Sequence, residues 1–169
     1  MSNQNAIRLD SVSKSFDGFK ALSEASFTAR WGEVHALLGE NGAGKSSLMN
    51  IAAGLYAPET GSLFIDDNAV RLNGPLDAAA QGIGMVHQHF KLVKPFTVAE
   101  NILLGLRNLQ TGTYRQRLAQ VAEQITALAA SLGFSIEPHA RVDQLSVAEQ
   151  QRVEILKVLL AGARILILD

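Results

Sequence analysis

One eight-residue run, Gly39-Glu40-Asn41-Gly42-Ala43-Gly44-Lys45-Ser46, narrows what this chain can fold into more than any other part of it. It matches the P-loop pattern GxxxxGK[ST] and stands between a short apolar run, Glu33 to Leu38, and a stretch of helical character, Ser46 to Leu55. The expected local structure is strand, glycine loop, helix. The residue types suit one task. Glycines let the backbone curl until its N–H groups face a polyphosphate, the helix N-terminus adds its positive end, and Lys45 brings a cation to the terminal phosphates. The Ser46 hydroxyl suits Mg²⁺, and Ser47 follows on the same helical turn. From average composition such a run arises by chance in about one chain in a hundred of this size. The flanking strand and helix signals argue against that origin.

Composition sets the frame around this loop. With 169 residues, 47% of them hydrophobic, there is apolar mass for a core, and the length suits one domain better than a two-domain enzyme. Fifteen Lys and Arg oppose sixteen Asp and Glu with no block of like charge, which disfavours a general nucleic-acid binder and makes any anion site local. The absence of cysteine removes disulfides, thiolate nucleophiles, zinc ribbons and iron–sulfur clusters, and fits a reducing compartment. Met-Ser-Asn-Gln-Asn lacks the basic and apolar regions of a signal peptide, and the apolar stretch Val158 to Leu168 is broken by Gly162 and Arg164.

Periodicity supplies the remaining elements. Loose alternation from Ile7 to Ala29, interrupted by Asp17-Gly18, predicts two strands and a turn, and Ser62 to Ile65 with Ala69 to Leu72 predicts a hairpin around Asp66-Asp67-Asn68. A short helix over Leu76 to Gln81 and a strand over Ile83 to His87 follow. Beyond that the chain reads as helical. Thr97 with Glu100 and Ser146 with Glu149 have capping-box spacing, and Leu118, Val121, Ala122, Ile125, Leu128, Ala129 and Leu132 form one stripe closed by Gly133. Arg164 to Leu168 is a final apolar strand reaching Asp169.

A P-loop alone specifies only a nucleoside triphosphate, but its company here is informative. Leu145-Ser146-Val147-Ala148-Glu149-Gln150-Gln151-Arg152-Val153 opens a helix that leads into Arg164-Ile165-Leu166-Ile167-Leu168-Asp169. This order resembles the ATP-binding cassette family, in which a signature motif, most often LSGGQ, precedes the Walker B strand and its Mg²⁺-associated aspartate. Gln88, after Ile83-Gly84-Met85-Val86-His87, falls where that family has its Q-loop glutamine, and Phe16 where it has the aromatic that stacks on adenine. Met85-Val86-His87-Gln88-His89-Phe90, with Phe96-Thr97-Val98-Ala99-Glu100-Asn101-Ile102, looks like the ATPases of sugar and nucleoside importers. The resemblance runs from Ile7 to Asp169.

What the resemblance implies is an α/β P-loop ATPase domain, with a β lobe and P-loop core over about residues 1–88, a helical lobe over about 89–161 and the Walker B strand over 164–169. Its parallel core would take in Glu33 to Leu38, Ile83 to His87 and Arg164 to Leu168. The cofactors would be ATP and Mg²⁺, with nucleotide held by Phe16, Gly39, Glu40, Asn41, Gly42, Ala43, Gly44, Lys45, Ser46, Ser47 and Gln88, and the metal by Ser46, Gln88 and Asp169. Lys45, Gln88, Asp169 and Ser146 would carry catalysis, Ser146 acting on the nucleotide of a second cassette. Transmembrane permease subunits would be the other partners, placing the chain on the cytoplasmic face of the membrane, with no nucleic acid expected. Within this subgroup one polypeptide usually carries two cassettes, so the sequence reads as most of an N-terminal cassette cut short, and binding without turnover is expected of these residues by themselves. A cassette ATPase of translation or DNA repair shares the motifs but usually carries inserts or basic arms, and none is seen.

The signature departs from the family pattern, because Val147 and Ala148 replace both glycines and Glu149 replaces the glutamine. Side chains where glycines allow close approach, plus a carboxylate near phosphate, would weaken that contact. The other reading, favoured by spacing, is that Glu149 caps its own helix. Three further features have bland readings. His87 and His89 lack a third metal ligand, Asp66-Asp67 suits a hairpin tip better than a carboxylate pair, and the Leu118 to Leu132 stripe suits core packing. Phe16 is open to a core role as well as to stacking.

Overall fold

The structure is a computed structural model and describes residues 4–87, 90–106 and 111–169. It divides into two compact units, one comprising Met1–Gly84 with Asp169 and the other Met85–Leu168.

The first unit is built on a four-stranded antiparallel sheet in the order β2-β1-β3-β4, from β1 (Asn5–Phe16), β2 (Phe19–Arg30), β3 (Thr60–Ile65) and β4 (Asn68–Val70). Asp17 and Gly18 join β1 to β2 with φ of 48° and 82°, and Asp66 and Asp67 join β3 to β4 with φ of 50° and 60°. Positive φ at both central residues is the hairpin geometry whose twist matches right-handed strands, and Asp and Gly tolerate it. The alternation in β1 reads as loose because the strand is bulged. Leu9 pairs with Phe27 and Val12 with Ala25, so β1 spends one residue more than β2, and Ser11 takes it up at φ 49°. The inward phase therefore runs Ile7, Leu9, then Val12, all buried.

Helices α1 (Lys45–Ala52) and α2 (Pro75–Ala80) belong to the same unit, α1 burying Leu48, Ile51 and Ala52. One expectation fails here. Glu33 to Leu38 forms no strand, and Val34 and Leu38 are 104% and 88% exposed. An apolar run expresses a demand for burial, but a strand exists only where a neighbour answers its N–H and C=O groups, and no described strand pairs with this one. The expected three-stranded core is accordingly a two-stranded sheet of β5 (Ile83–Val86) and β6 (Ile165–Leu168).

The second unit is helical. α3 (Val98–Gly105), α4 (Tyr114–Ser131) and α5 (Val147–Leu160) share a core of Val98, Ile102, Val121, Ile125, Val153 and Leu156, with Val142 from the short 3-10 turn Val142–Gln144. Val121, Ala122, Ile125 and Ala129 of the predicted stripe are buried. α4 ends where expected: Gly133 takes φ 68°, its N–H reaches the Ala130 carbonyl, and the Phe134 N–H reaches that of Ala129. It begins earlier than the stripe suggests, because Thr113 and Gln116 form a capping box ahead of it. Two buried polar side chains tie down the chain ahead of α3. Asn101 bonds the backbone of Val93 and Thr97, and Glu154 accepts from the Lys91 N–H at 2.8 Å while pairing with Lys157 at 2.6 Å. No helix among the described residues is long and apolar enough to cross a membrane.

Candidate phosphate and nucleotide site

The glycine loop turns tightly ahead of α1, with the Ala43 N–H on the Glu40 carbonyl at 3.2 Å. Gly44 is the N-cap at φ 86°, and a Cβ there would lie 2.7 Å from the Ala21 carbonyl oxygen, a backbone atom that cannot yield. Glycine is therefore required for two reasons, conformation and space. No side chain caps α1 and no acidic residue lies in its first turn. Its first N–H groups, among them those of Lys45, Ser46 and Ser47, carry the positive end of the helix dipole with no internal carboxylate to answer it.

Lys45 donates from its ammonium to the carbonyls of Gly39 and Glu40, each at 2.7 Å, which draws the cation over the loop. Asn41 and Gly42 form the turn's exposed crest, Gly42 at φ 86°. Ser46 donates to Asp169 at 3.3 Å across 123 residues of sequence, the longest-range side-chain bond at this site. These two groups present hard oxygen donors beside the loop, a hydroxyl and a carboxylate, which is the donor chemistry Mg²⁺ takes when it also binds phosphates and water. The residues thus fit the metal that the sequence implied.

Phe16, at the end of β1, is half-buried rather than part of the core. Its ring meets Tyr56 at 5.0 Å and 68°, and the Lys14 ammonium stands 5.5 Å from its centroid. Tyr56 is not legible as a partner, since it lies 40 residues away and nothing in its own surroundings marks it.

The other candidates fall in three places. Gln88 and His89 lie outside the described residues. Ser146 belongs to the second unit, where it is the N-cap of α5 and donates to Glu149 at 2.6 Å while the Glu149 N–H returns to its hydroxyl at 3.3 Å. The side-chain bond from Ser146, with a backbone bond beside it, holds the Glu149 carboxyl below the ordinary glutamate range. Glu149 is thereby engaged as a capping anion, and Val147 next to it is exposed. Asp66 and Asp67 occupy a hairpin tip, accepting from Trp31 and Asn5. Among the described residues, no cluster of three or more His, Asp or Glu side chains is arranged to hold a metal.

Comparison with known proteins gives the family. A family profile described as ABC transporter matches residues 22–169. The nucleoside import ATP-binding protein NupA of Lactococcus lactis is 47% identical over 169 residues, all of this chain and 33% of that protein. The arabinose import ATP-binding protein AraG of Paraburkholderia xenovorans is 42% identical over 165 residues, 96% of this chain and 31% of that one. The chain thus spans about a third of the length of the curated relatives it matches. Among solved structures, a nucleotide-free ATP-binding cassette of an ABC transporter superposes with a TM-score of 0.81 at 25% identity, over 98% of this chain and 68% of that one.

Proposed function

The chain belongs to the ATP-binding cassette family, and we propose that it binds Mg²⁺-ATP as part of the ATP-hydrolysing motor of an importer for sugars or nucleosides. The observation that carries this reading is the open N-terminus of α1 under a glycine loop, with Lys45 over the loop and Ser46 bonded to Asp169 beside it. A polyphosphate supplies the acceptors that this terminus lacks, and the backbone there is already shaped for them.

In this reading the residues divide the work. Gly39 to Gly44 direct backbone N–H groups at the phosphates, Lys45 turns from the loop carbonyls to the terminal oxygens, and Phe16 stacks on adenine. Ser46, Asp169 and Gln88 would hold the metal. Mg²⁺, when bound, neutralises charge that develops on the phosphate oxygens during in-line attack by water. Ser146 serves the nucleotide of a second cassette. The β lobe and P-loop core over about 1–88, the helical lobe over about 89–161 and the strand over 164–169 act as parts of one nucleotide-binding domain. Transmembrane permease subunits hold it to the cytoplasmic face of the membrane, and the identities of the named relatives support sugars or nucleosides as the cargo.

Isothermal titration of Mg²⁺-ATP into the wild-type chain and Lys45→Ala tests the reading. Loss of a charge-assisted contact should weaken binding roughly 10- to 100-fold, with the thermal midpoint little changed because Lys45 is not in the core. Equal affinity for both proteins would remove the assignment.

A further inference from the structure

The base platform raises a question that Phe16 by itself does not answer. Phe16 is the last residue of β1, followed by the tight turn at Asp17-Gly18, and the residue paired across from it, Phe19, is 70% exposed. A half-buried ring at the tip of a hairpin has few fixed neighbours to hold its plane, yet stacking requires that the face stand at a set distance from the phosphate grip.

We propose that Tyr56 is the positioning residue for this platform: held to α1 through its backbone and to Phe16 through its ring, it sets where the base stacks relative to the phosphates. The proposal rests on the reading of Phe16 as the adenine platform. The Tyr56 and Leu55 N–H groups donate to the Asn50 carbonyl at 3.3 and 2.8 Å, and Asn50 lies in the last turn of α1, the helix whose first turn faces the phosphate loop. Gly54 makes the reversal possible at φ 72°, in a space where a Cβ would stand 2.7 Å from the Gly74 carbonyl oxygen. The far side of the segment is fixed to β1. The Glu59 N–H donates to the Ser13 carbonyl at 2.9 Å, and the Glu59 carboxylate accepts from the Ser15 N–H at 3.0 Å and the Ser15 hydroxyl at 3.2 Å.

Tyr56 is thus anchored on both sides, and the residue that Glu59 grips is the one before Phe16. Its ring contact, at 5.0 Å and 68°, is the edge-to-face geometry aromatic pairs favour, and it constrains the angle of the Phe16 ring. The Lys14 ammonium, 5.5 Å from the same centroid, is near the limit of a cation–π contact and sits on a flexible stem, so it does not set that angle. A residue that merely covered the end of α1 would affect stability without distinguishing ligands that carry a base from those that do not.

The test titrates Mg²⁺-ATP and magnesium tripolyphosphate, which has no base, into wild type, Phe16→Ala, Tyr56→Leu, Tyr56→Phe and the Phe16→Ala/Tyr56→Leu double variant. Leucine preserves apolar bulk at a position that is 41% exposed, so the fold is retained. Tyr56→Leu should weaken ATP roughly 3- to 10-fold and leave tripolyphosphate unchanged. Tyr56→Phe should restore ATP affinity, and the double variant should bind ATP no more weakly than Phe16→Ala. Unchanged ATP affinity in Tyr56→Leu, where Phe16→Ala has lost it, overturns the inference and leaves the platform standing. Equal loss for ATP and tripolyphosphate also overturns it, because Tyr56 would then act through α1. If Phe16→Ala itself binds ATP normally, the platform reading falls, and the inference with it.

Discussion

The helices of the two units begin in opposite ways. In the second unit α3, α4 and α5 each open with a complete capping box, Thr97 with Glu100, Thr113 with Gln116 and Ser146 with Glu149, so the chain answers its own exposed N–H groups. In the first unit, α1 opens on a glycine with neither a side-chain cap nor an acid in the first turn. Helix α2 also starts on glycine, but it has Pro75 at its start and Asp77 in its first turn. Where a helix serves packing, its terminus is closed from within. At α1 it is left open, as the proposed phosphate site requires. The difference teaches that the helix proposed to hold phosphate differs from the others by what it lacks, and that its stability must come from the buried side of Leu48, Ile51 and Ala52 rather than from its start.

This contrast can be broken at several strengths. The heaviest blow falls on packing: Leu156→Ala, at a fully buried position in the helical core, should cost about 2–5 kcal/mol in urea unfolding. A cost below about 1 kcal/mol would mean that α3, α4 and α5 are not held by that core. Next comes Gly44→Ala, which forces a side chain into left-handed backbone and against the Ala21 carbonyl. It should cost about 1–3 kcal/mol in thermal unfolding and abolish measurable ATP binding in the same sample. Retained affinity would sever the open terminus from the ligand.

A smaller effect tests the closed termini. Thr97→Ala should destabilise by about 1 kcal/mol while ATP affinity stays within error, as read by denaturant midpoint and titration together. The weakest perturbation is acid. The Thr97 N–H, followed by the Tyr114 hydroxyl and the Thr97 side chain, holds the Glu100 carboxyl below the ordinary glutamate value of 4.5, and Ser146 does the same for Glu149. Since the folded values lie lower, the capping contribution is complete above about pH 4.5 and drains away as pH falls through them. Amide resonances of Glu100 and Glu149 should therefore shift in acid before global unfolding.

Much of this is legible in the sequence. Hairpin turns at Asp17-Gly18 and Asp66-Asp67, the closing Gly133, and two of the three capping boxes depend on chemistry within a few residues, and the chain states such chemistry directly. Bulges and boundaries were less legible. Ser11 shifts the phase of β1, and Thr113 opens α4 ahead of its apolar stripe, because each answers a partner as well as its own sequence neighbours.

By itself the sequence determined the phosphate loop, since GxxxxGKS acts through its own backbone and needs no distant contact to be recognised. It determined the amphipathic helices too, because their faces repeat at helical period. Only the tertiary structure decided that Ser46 meets Asp169, that Tyr56 meets Phe16, that Glu154 is buried against Lys157 and the Lys91 backbone, and that Glu33 to Leu38 stays unpaired. The physical reason is common to all of them: periodicity and spacing report which groups need a partner, and only the fold decides which partners come within reach.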